Sequence, residues 1–458
     1  MLKYVTANLL KQLDKTSMSH HNTILSQLLK LIPRHEFEQL SLQHDGKRCF
    51  GALSRWSQFV AMFTCQISGL SSLRDIESTL HTQKQHHYHL ASQTVSRSAL
   101  GRANEALDYQ FFIGLFGTLY QRCINRSAKQ DFGLKEKLFS LDASLIDVSM
   151  KLFPSANYNR MKAAFKLHVG LDHDGLIPAF IAVTAGKVSD QTQARLFKFP
   201  KGSVVVFDKG YASYDWHESL AKQGVSYVTR MRGNAKFKVT LSHALEADCG
   251  ILSDETVEYT SLRSSKKSLM PVRRIVFHDV EFNKTLVFTT NRFDWSASLV
   301  AQIYKQRWQV ELFFKWIKQN LKLKCFVGLS NNAVMTQVMV AMCAYLLLAY
   351  LKFTSQFKQS LQQIIRLIRV NLFIRRPLTE LFRPPDKSSL VSAQMRLFYA
   401  WEFIWDSSET DPIDFNRDWP HRFYIDFNPI DFITKAGLTQ NSGHAPLRLL
   451  VFIIIMLG

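Results

Sequence analysis

The chain has 458 residues, 47% of them hydrophobic, which suffices for on the order of two to four domains and excludes a chain that is disordered throughout. Lys and Arg outnumber Asp and Glu by 57 to 37, which gives a formal net charge of +20. This balance favours a polyanionic partner, nucleic acid first, over an acidic small molecule. A membrane surface competes, but the basic residues are spread along the chain rather than clustered beside an amphipathic anchor.

The cysteines and the apolar stretches indicate the compartment. Six cysteines form no CxxC pair and no zinc spacing, which favours free thiols in a reducing compartment. The amino-terminal residues lack a signal-peptide pattern, so we expect a cytoplasmic protein whose translation starts at Met1 or at Met18. Residues 333–351 approach membrane-spanning length, but Thr336 and Gln337 interrupt them. We therefore expect a buried helix rather than a membrane span.

Residues 1–136 are predicted to form a helical amino-terminal domain, because apolar positions recur at helical spacing after Ser or Thr caps. The stretch SSLRDIE, followed by QTVSRSALGRANE, is typical of helix, turn, helix. Its exposed arginines, Arg74, Arg97 and Arg102, would suit a DNA major groove. A small helical bundle with ordinary surface arginines is an equal alternative.

The pattern then changes to alternating strands and helices. Residues 137–232 read as strand, strand, strand, helix, strand, helix, strand, and residues 297–330 add a helix that carries Glu311. This order predicts an α/β, ribonuclease H-like catalytic core. Residues 233–296 alternate apolar and polar positions and predict a β-rich insertion, whose basic run Arg263–Lys267 marks either a DNA-backbone contact or a solvated hairpin.

Two further regions follow the core. Residues 331–398 are predicted to be a carboxy-terminal helical region. Residues 399–458 differ in charge, because positions 401–432 hold eight acidic residues against two basic ones. We interpret them as an acidic, appended tail.

One stretch, Ile303–Lys324, contains no Gly or Pro and is predicted to be a single helix. At helical spacing Tyr304, Arg307, Glu311 and Lys318 fall within an arc of about 60°. The remaining positions, including Trp308 and Leu312, are mostly aromatic or aliphatic and predict burial on most other sides. A carboxylate held there needs partners or a metal ion. Alternatively, the charged residues pair with one another on a solvated face.

Two other acids stand out by position. Asp142 lies in the first core strand, and Asp208 follows the apolar strand VVVF. A carboxylate near the carboxyl end of a buried strand faces the crevice where α/β proteins bind ligands. With Glu311, these residues supply three hard oxygen ligands of the kind that Mg²⁺ prefers. Two such ions about 4 Å apart could promote in-line phosphoryl displacement.

The motifs resemble a known family. Tyr304, Arg307, Glu311 and Lys318 are separated by two, three and six residues, and the acids lie in SLDAS and FDKGYAS. Together with WSQFVAMFTCQISGLSSLRDIE, these motifs resemble the DDE transposases of bacterial insertion sequences, specifically the insertion-sequence-four family with the Y-R-E-K signature. The resemblance covers about Met18 to Phe398.

The resemblance implies a ribonuclease H-like fold with a β-rich insertion, DNA cleavage at transposon ends and strand transfer into target DNA. It implies that Asp142, Asp208 and Glu311 bind two Mg²⁺ ions, with Mn²⁺ as a substitute. Tyr304, Arg307 and Lys318 would bind phosphates at the transposon end. The implied partners are double-stranded DNA, as terminal inverted repeats and target, and a second copy in a homodimeric synaptic complex.

Some alternatives remain open. Relatives can stack a flipped base on a Trp of the insertion, and Trp295 is the available residue, although core packing is the preferred interpretation. The alternative function is a catalytically inactive derivative that binds the transposon ends and inhibits transposition. The tail, which has no counterpart in the family, favours this alternative. A simple ribonuclease H-like nuclease would need neither the helical domain nor the phosphate-binding residues.

Overall fold

The computed structural model describes residues 22–45, 53–130, 133–148, 157–159, 162–211, 213–245, 250–260, 270–321, 323, 325–355 and 357–383. The chain divides into two units, Met1–Arg383 and Pro384–Gly458, and all described residues belong to the first. The expectations about Met18, the run Arg263–Lys267 and the acidic tail fall outside the described residues.

The amino-terminal part is helical, as predicted. Ser54, Ser72 and Ser96 precede three of its helices and accept hydrogen bonds from backbone N–H groups of the first turn. The helices are α1 Ile24–Leu29, α2 Arg34–Asp45, α3 Arg55–Ser68, α4 Leu73–Thr82, α5 His87–Leu90, α6 Arg97–Ala106 and α7 Gln110–Ile124.

The expected helix-turn-helix is wrong in its connection. Residues 83–96 separate α4 from α6 and contain a 3₁₀ turn and α5, whereas the DNA-binding motif joins its helices by a turn of about 3–4 residues. Arg74, Arg97 and Arg102 are nevertheless exposed. The region is therefore a helical bundle that carries arginines on its surface.

Two carboxy-terminal helices, α12 Asn331–Ser355 and α13 Leu361–Asn371, share one hydrophobic cluster with the amino-terminal helices. Helix α12 is long and apolar enough to cross a membrane, but 89% of its most apolar window is buried inside the protein. The buried-helix prediction is thus confirmed. Near the start of α1, the Ile24 N–H donates to the Ile374 carbonyl at 3.1 Å, which ties the two helical regions together.

The centre of the unit is a ten-stranded mixed sheet with the order β2-β3-β1-β5-β6-β10-β9-β8-β7, and β4 pairs with β3 outside this path. Strands β1, β3 and β4 are antiparallel neighbours, whereas β1, β5 and β6 run parallel. An antiparallel meander followed by two parallel strands is the arrangement predicted for a ribonuclease H-like core. The strands are β1 Leu138–Val148, β2 Asn157–Asn159, β3 Lys162–Asp172, β4 Ile177–Ala185, β5 Val204–Phe207, β6 Ser226–Arg230, β7 Phe237–Ser242, β8 Ile251–Tyr259, β9 Val272–Asp279 and β10 Lys284–Thr290.

The β-rich insertion extends the core sheet. Strand β10 returns antiparallel to β6, with Phe288 opposite Arg230, and β9, β8 and β7 follow outward. A buried ion pair holds this part together, because Arg273 donates to Asp254 from Nε at 2.9 Å and from Nη2 at 2.5 Å.

Helices cover both faces of the sheet. Helices α8 Asp190–Ala194 and α9 Tyr214–Lys222 contribute to a core that contains Leu141 and Phe207. On the other face, α10 Ala297–Gln306 packs over β5 and β6, and α11 Trp308–Asn320 packs over β1 and β3.

The single helix expected over Ile303–Lys324 is wrong, because α10 and α11 meet at Arg307. The Arg307 N–H donates to the Tyr304 carbonyl at 3.0 Å, three residues back, so the helix tightens there. Helix α11 ends at Asn320, and Lys324 lies outside the described residues.

The burial expected around this helix is also partly wrong. Trp308 and Leu312 are 54% and 42% exposed. The opposite side of α11 packs against the sheet through Val310, Phe313 and Ile317, which turns Trp308 and Leu312 outward.

Candidate active site

Asp142 and Asp208 lie side by side on neighbouring parallel strands. The last register pair between β1 and β5 is Leu141 with Phe207, and each acid follows one residue later. Neighbouring strands are about 4.8 Å apart, so the two acids have adjacent backbones. Leu141 and Phe207 pack in one cluster on one face, so the next residues point to the opposite face. Both carboxylates therefore lie beneath α10 and α11.

Glu311 joins them from above, because α11 packs over β1. Burial raises the pKa of the Asp142 carboxyl from 3.8 to about 6, and the negative charges of Glu311 and Asp208 add to this effect. Arg307 acts in the opposite direction on the same carboxyl. Asp142 thus lies within electrostatic range of both other acids.

Asp208 has two neighbours that stabilise its charged form. Arg230 donates to Asp208 Oδ1 from Nη2 at 2.7 Å and from Nε at 3.2 Å, and the Tyr304 hydroxyl donates to the same oxygen at 3.2 Å. Burial works against ionisation of Asp208, but the hydrogen bonds and charge of Arg230 outweigh it and hold the pKa below its ordinary value.

Arg307 links the two helices to the acids. Its Nη2 lies 2.6 Å from Glu311 Oε1, and its side chain is only 15% exposed. The Arg307 Nε is buried and has no hydrogen-bond partner. Its guanidinium carbon lies 5.7 Å from the ring centroid of Tyr304, whose hydroxyl has its pKa raised to about 12, chiefly by burial. A buried guanidinium with an unused donor is suited to an oxyanion.

Lys318 lies further along α11. Its Nζ donates to Ser144 Oγ at 2.6 Å. Ser144 follows Asp142 by two residues in β1, so both side chains are on the same face of the sheet. The structure therefore brings Tyr304, Arg307 and Glu311 to the two aspartates and places Lys318 beside the same strand.

The side chains do not form a ready metal site. Among the described residues, no three His, Cys, Asp or Glu side chains are grouped closely enough to hold a metal ion. Two of the three carboxylates form ion pairs with arginines, Asp208 with Arg230 and Glu311 with Arg307. The metal-ligand assignment thus stays a prediction.

Trp295 belongs to the core. It is 8% exposed, the Arg292 guanidinium lies 4.3 Å from its ring centroid, and its carbonyl accepts a hydrogen bond from Arg273. These contacts agree with core packing, which the sequence favoured for Trp295 over base stacking.

Sequence reasoning assigned no role in this site to Arg230, Ser144 or Tyr211, although Ser144 and Tyr211 lie in the motifs SLDAS and FDKGYAS. Arg230 ends β6, next to β5, and its position at a strand's carboxyl end was the available signal. Tyr211 follows Asp208 by three residues, and its hydroxyl is buried without a hydrogen-bond partner. Asp142, Asp208 and Arg307 all act electrostatically on it, so it lies near the same cluster.

Two family models match the chain. Residues 133–347 match a transposase DDE domain, and residues 20–91 match a domain of unknown function, DUF4372. The first range contains all three acids and the residues from Tyr304 to Lys318.

Curated relatives agree with the first match. A protein of Sinorhizobium fredii named as transposase y4zB is 30% identical over 62% of this chain and 80% of its own length. The transposase named for insertion sequence element IS5377 of Geobacillus stearothermophilus is 26% identical over 73% of this chain and 86% of its own length. The transposase named for element IS4SA of Synechocystis is 24% identical over 57% and 73%.

A solved synaptic complex of the piggyBac transposase with hairpin DNA also matches, at a TM-score of 0.40 and 10% identity over 80% of this chain and 81% of that chain. The DDE domain match over residues 133–347 and the relative that is 30% identical over 80% of its length show that this chain belongs to the DDE transposase family.

Proposed function

We propose that this transposase binds the ends of an insertion sequence and catalyses Mg²⁺-dependent strand cleavage and strand transfer, with Asp142, Asp208 and Glu311 as metal ligands. One observation carries the proposal. Asp142 and Asp208 follow the last paired residues of two parallel strands, and Glu311 acts on Asp142 from the helix above them. Asp208 and Glu311 thus both act on Asp142, which supports one shared site for the three carboxylates.

The donor set fits a hard divalent ion. DDE transposases generally use divalent metal ions, and three carboxylates are the oxygen ligands that Mg²⁺, or Mn²⁺ as a substitute, prefers. A pair of bound ions would activate the attacking hydroxyl and stabilise the leaving oxygen. In the present arrangement Arg230 and Arg307 neutralise Asp208 and Glu311. Each arginine contacts only one oxygen of its carboxylate, Oδ1 of Asp208 and Oε1 of Glu311, so a metal ion would either use the other oxygen or displace the cation.

The donors of Arg307 support the phosphate-binding role. Arg307 already has a buried Nε without a partner, and breaking its contact with Glu311 would also free its Nη2 for a phosphate oxygen. Lys318 approaches the same face as a point charge, and Tyr304 presents a hydroxyl. Together, these residues would hold the phosphates at the end of the element.

The remaining assignments concern DNA and assembly. The helical amino-terminal region presents Arg74, Arg97 and Arg102 at its surface, which supports contact with the DNA backbone. The proposed partners are duplex DNA of the terminal inverted repeats and the target, and a second copy of the chain in a synaptic homodimer. The proposed compartment is the bacterial cytoplasm.

Cleavage and binding assays on the same DNA test the proposal. Asp208→Asn and Glu311→Gln remove one ligand charge with little change of shape, so we expect cleavage in Mg²⁺ to be lost while gel-shift binding persists. Glu281→Gln is the matched control, because that carboxylate is 70% exposed.

Full cleavage by either active-site variant would exclude the assigned residue from catalysis. The alternative function, an inactive derivative that binds ends and inhibits, predicts that the unaltered chain binds the ends without cleaving them.

A further inference from the structure

A groove opens beside Asp208. It has a volume of about 360 Å³ and is lined by Asp208, Lys209, Gly210, Arg232 and Gly233. Its walls are the segments that follow β5 and β6, two neighbouring parallel strands. The crevice outside the carboxyl ends of such strands is where open α/β sheets bind ligands.

Two glycines contribute bare backbone to this groove. A Cβ atom added at Gly210 or at Gly233 would meet no heavy atom within 4 Å. Bare backbone thus forms part of both walls, and a ligand can approach the chain closely there.

Two cations flank the groove. Lys209 and Arg232 are both exposed, and in the part of the chain that the structure describes neither forms an ion pair with a carboxylate. The Arg232 Nε lies 3.5 Å from the Lys209 carbonyl, which places the guanidinium over the segment that follows Asp208. By contrast, Arg230 is already paired with Asp208.

A phosphodiester suits this arrangement. Arg offers several donors in a planar fork, Lys offers a point charge, and exposed backbone permits close approach of a sugar-phosphate chain. The groove leads directly to Asp208, one of the proposed metal ligands. A strand that lay along it would therefore present a phosphate close to the acids.

We propose that Lys209 and Arg232 form a second phosphate-binding site, distinct from Tyr304, Arg307 and Lys318, which holds the DNA backbone beside Asp208. The site takes phosphodiester oxygens and carries no base specificity. This inference rests on the proposed function, because it assigns the strand's position relative to the same acids.

The salt dependence of DNA binding tests the site. The full chain and the variants Lys209→Ala, Arg232→Ala and the double variant are titrated with a labelled duplex over a range of salt concentrations. Each lost phosphate contact should reduce the slope of log K against log salt by about 0.9. Arg232→Lys should restore most of the slope at its position, because it keeps the charge.

The matched control is Lys201→Ala, which removes an exposed cation just before the amino end of β5, at the opposite end of the strand from Asp208. Its slope should equal that of the unaltered chain. Thermal unfolding of every variant verifies folding, which exposed substitutions should leave unchanged.

The outcomes separate the two proposals. If the unaltered chain binds and cleaves DNA but the double variant has the slope of Lys201→Ala, the second site is wrong and the proposed function stands. Another outcome is that inorganic phosphate at matched ionic strength competes with the duplex in the unaltered chain and not in the double variant, while the salt-dependence slopes of DNA binding stay equal. In that case the site binds a free anion and the inference is overturned. If the unaltered chain binds DNA and never cleaves it, the catalytic function fails, whereas reduced slopes still support the site.

Discussion

Arg230 donates two hydrogen bonds to a single oxygen of Asp208, at 2.7 and 3.2 Å, across the neighbouring parallel strands β5 and β6. The pair is partly exposed, at 31% and 30%, so its contribution to folding is modest. Its effect on the Asp208 proton is larger, because the cation holds the pKa below its ordinary value against the opposing effect of burial. The contact therefore keeps a proposed metal ligand ionised.

Replacing Arg230 by Gln should raise the pKa of Asp208, because burial would then act without a compensating charge. Protonated Asp208 cannot bind a metal ion. The acid limb of the cleavage rate, measured at a fixed sub-saturating Mg²⁺ concentration, should therefore move to higher pH. Arg230→Lys keeps the charge and should leave the limb near its original position. An unmoved limb in Arg230→Gln would show that Arg230 does not control this proton.

Asp142→Asn should stabilise the metal-free protein above neutral pH. The folded-state pKa of Asp142 is raised from 3.8 to about 6, so the folded protein binds this proton more tightly than the unfolded chain does. The free energy of unfolding therefore falls as pH rises from 3.8 to about 6. A carboxylate with a lowered pKa has the opposite effect, because it stabilises the folded protein as pH rises. Replacing the acid by the amide should recover on the order of 1–3 kcal/mol at pH 7.

Thermal unfolding in EDTA at two pH values checks this expectation. The gain in Tm should be present near pH 7 and should shrink below pH 4, where the carboxyl is protonated in both states. A variant that is equally or less stable than the unaltered chain at neutral pH would contradict the raised pKa.

Tyr304→Phe separates the hydroxyl from the ring. The ring packs against Phe288, with centroids 4.8 Å apart, and a Phe at position 304 preserves that contact. The lost hydroxyl removes the hydrogen bond to Asp208 and a proposed phosphate contact. We expect cleavage to fall by about tenfold, as for an interaction of about 1.4 kcal/mol in the transition state.

The control is Tyr88→Phe, because Tyr88 is 90% exposed and lies in the helical region. Both variants should unfold within a few degrees of the unaltered chain. Equal cleavage rates for the two variants would exclude the Tyr304 hydroxyl from the reaction.

The sequence located the acids because the local pattern was sufficient. Asp142 lies in an apolar strand and Asp208 directly follows another, and the run VVVF has few alternatives to a buried sheet position. The role of Arg230 could not be predicted without knowing that β5 pairs with β6. This pairing joins residues about twenty positions apart, and such long-range contacts leave no periodic pattern in the sequence.

The break at Arg307 was equally invisible to local reasoning. Ile303–Lys324 has neither Gly nor Pro, and Arg307 itself keeps helical dihedral angles of −52° and −31°. The break coincides with a change of packing partners, because α10 lies over β5 and β6 whereas α11 lies over β1 and β3. The exposure of Trp308 has the same origin. Tertiary contacts decided both features against a strong helical pattern.

The insertion offers a further test, since its buried ion pair joins two strands that sequence reasoning treated separately. Asp254 and Arg273 have side chains that are 4% and 7% exposed, and Arg273 also donates to the Trp295 carbonyl just before α10. Asp254→Ala would leave a buried guanidinium without its counter-charge, which costs about 3–5 kcal/mol. The control Glu281→Ala breaks a pair with Lys305 that is about 70% exposed on both sides and should change stability by less than about 1 kcal/mol. Chemical denaturation of both variants measures the difference. Equal stabilities would mean that β8 and β9 are held by their backbone ladder and apolar contacts alone, and that Arg273 can reach water when Asp254 is absent.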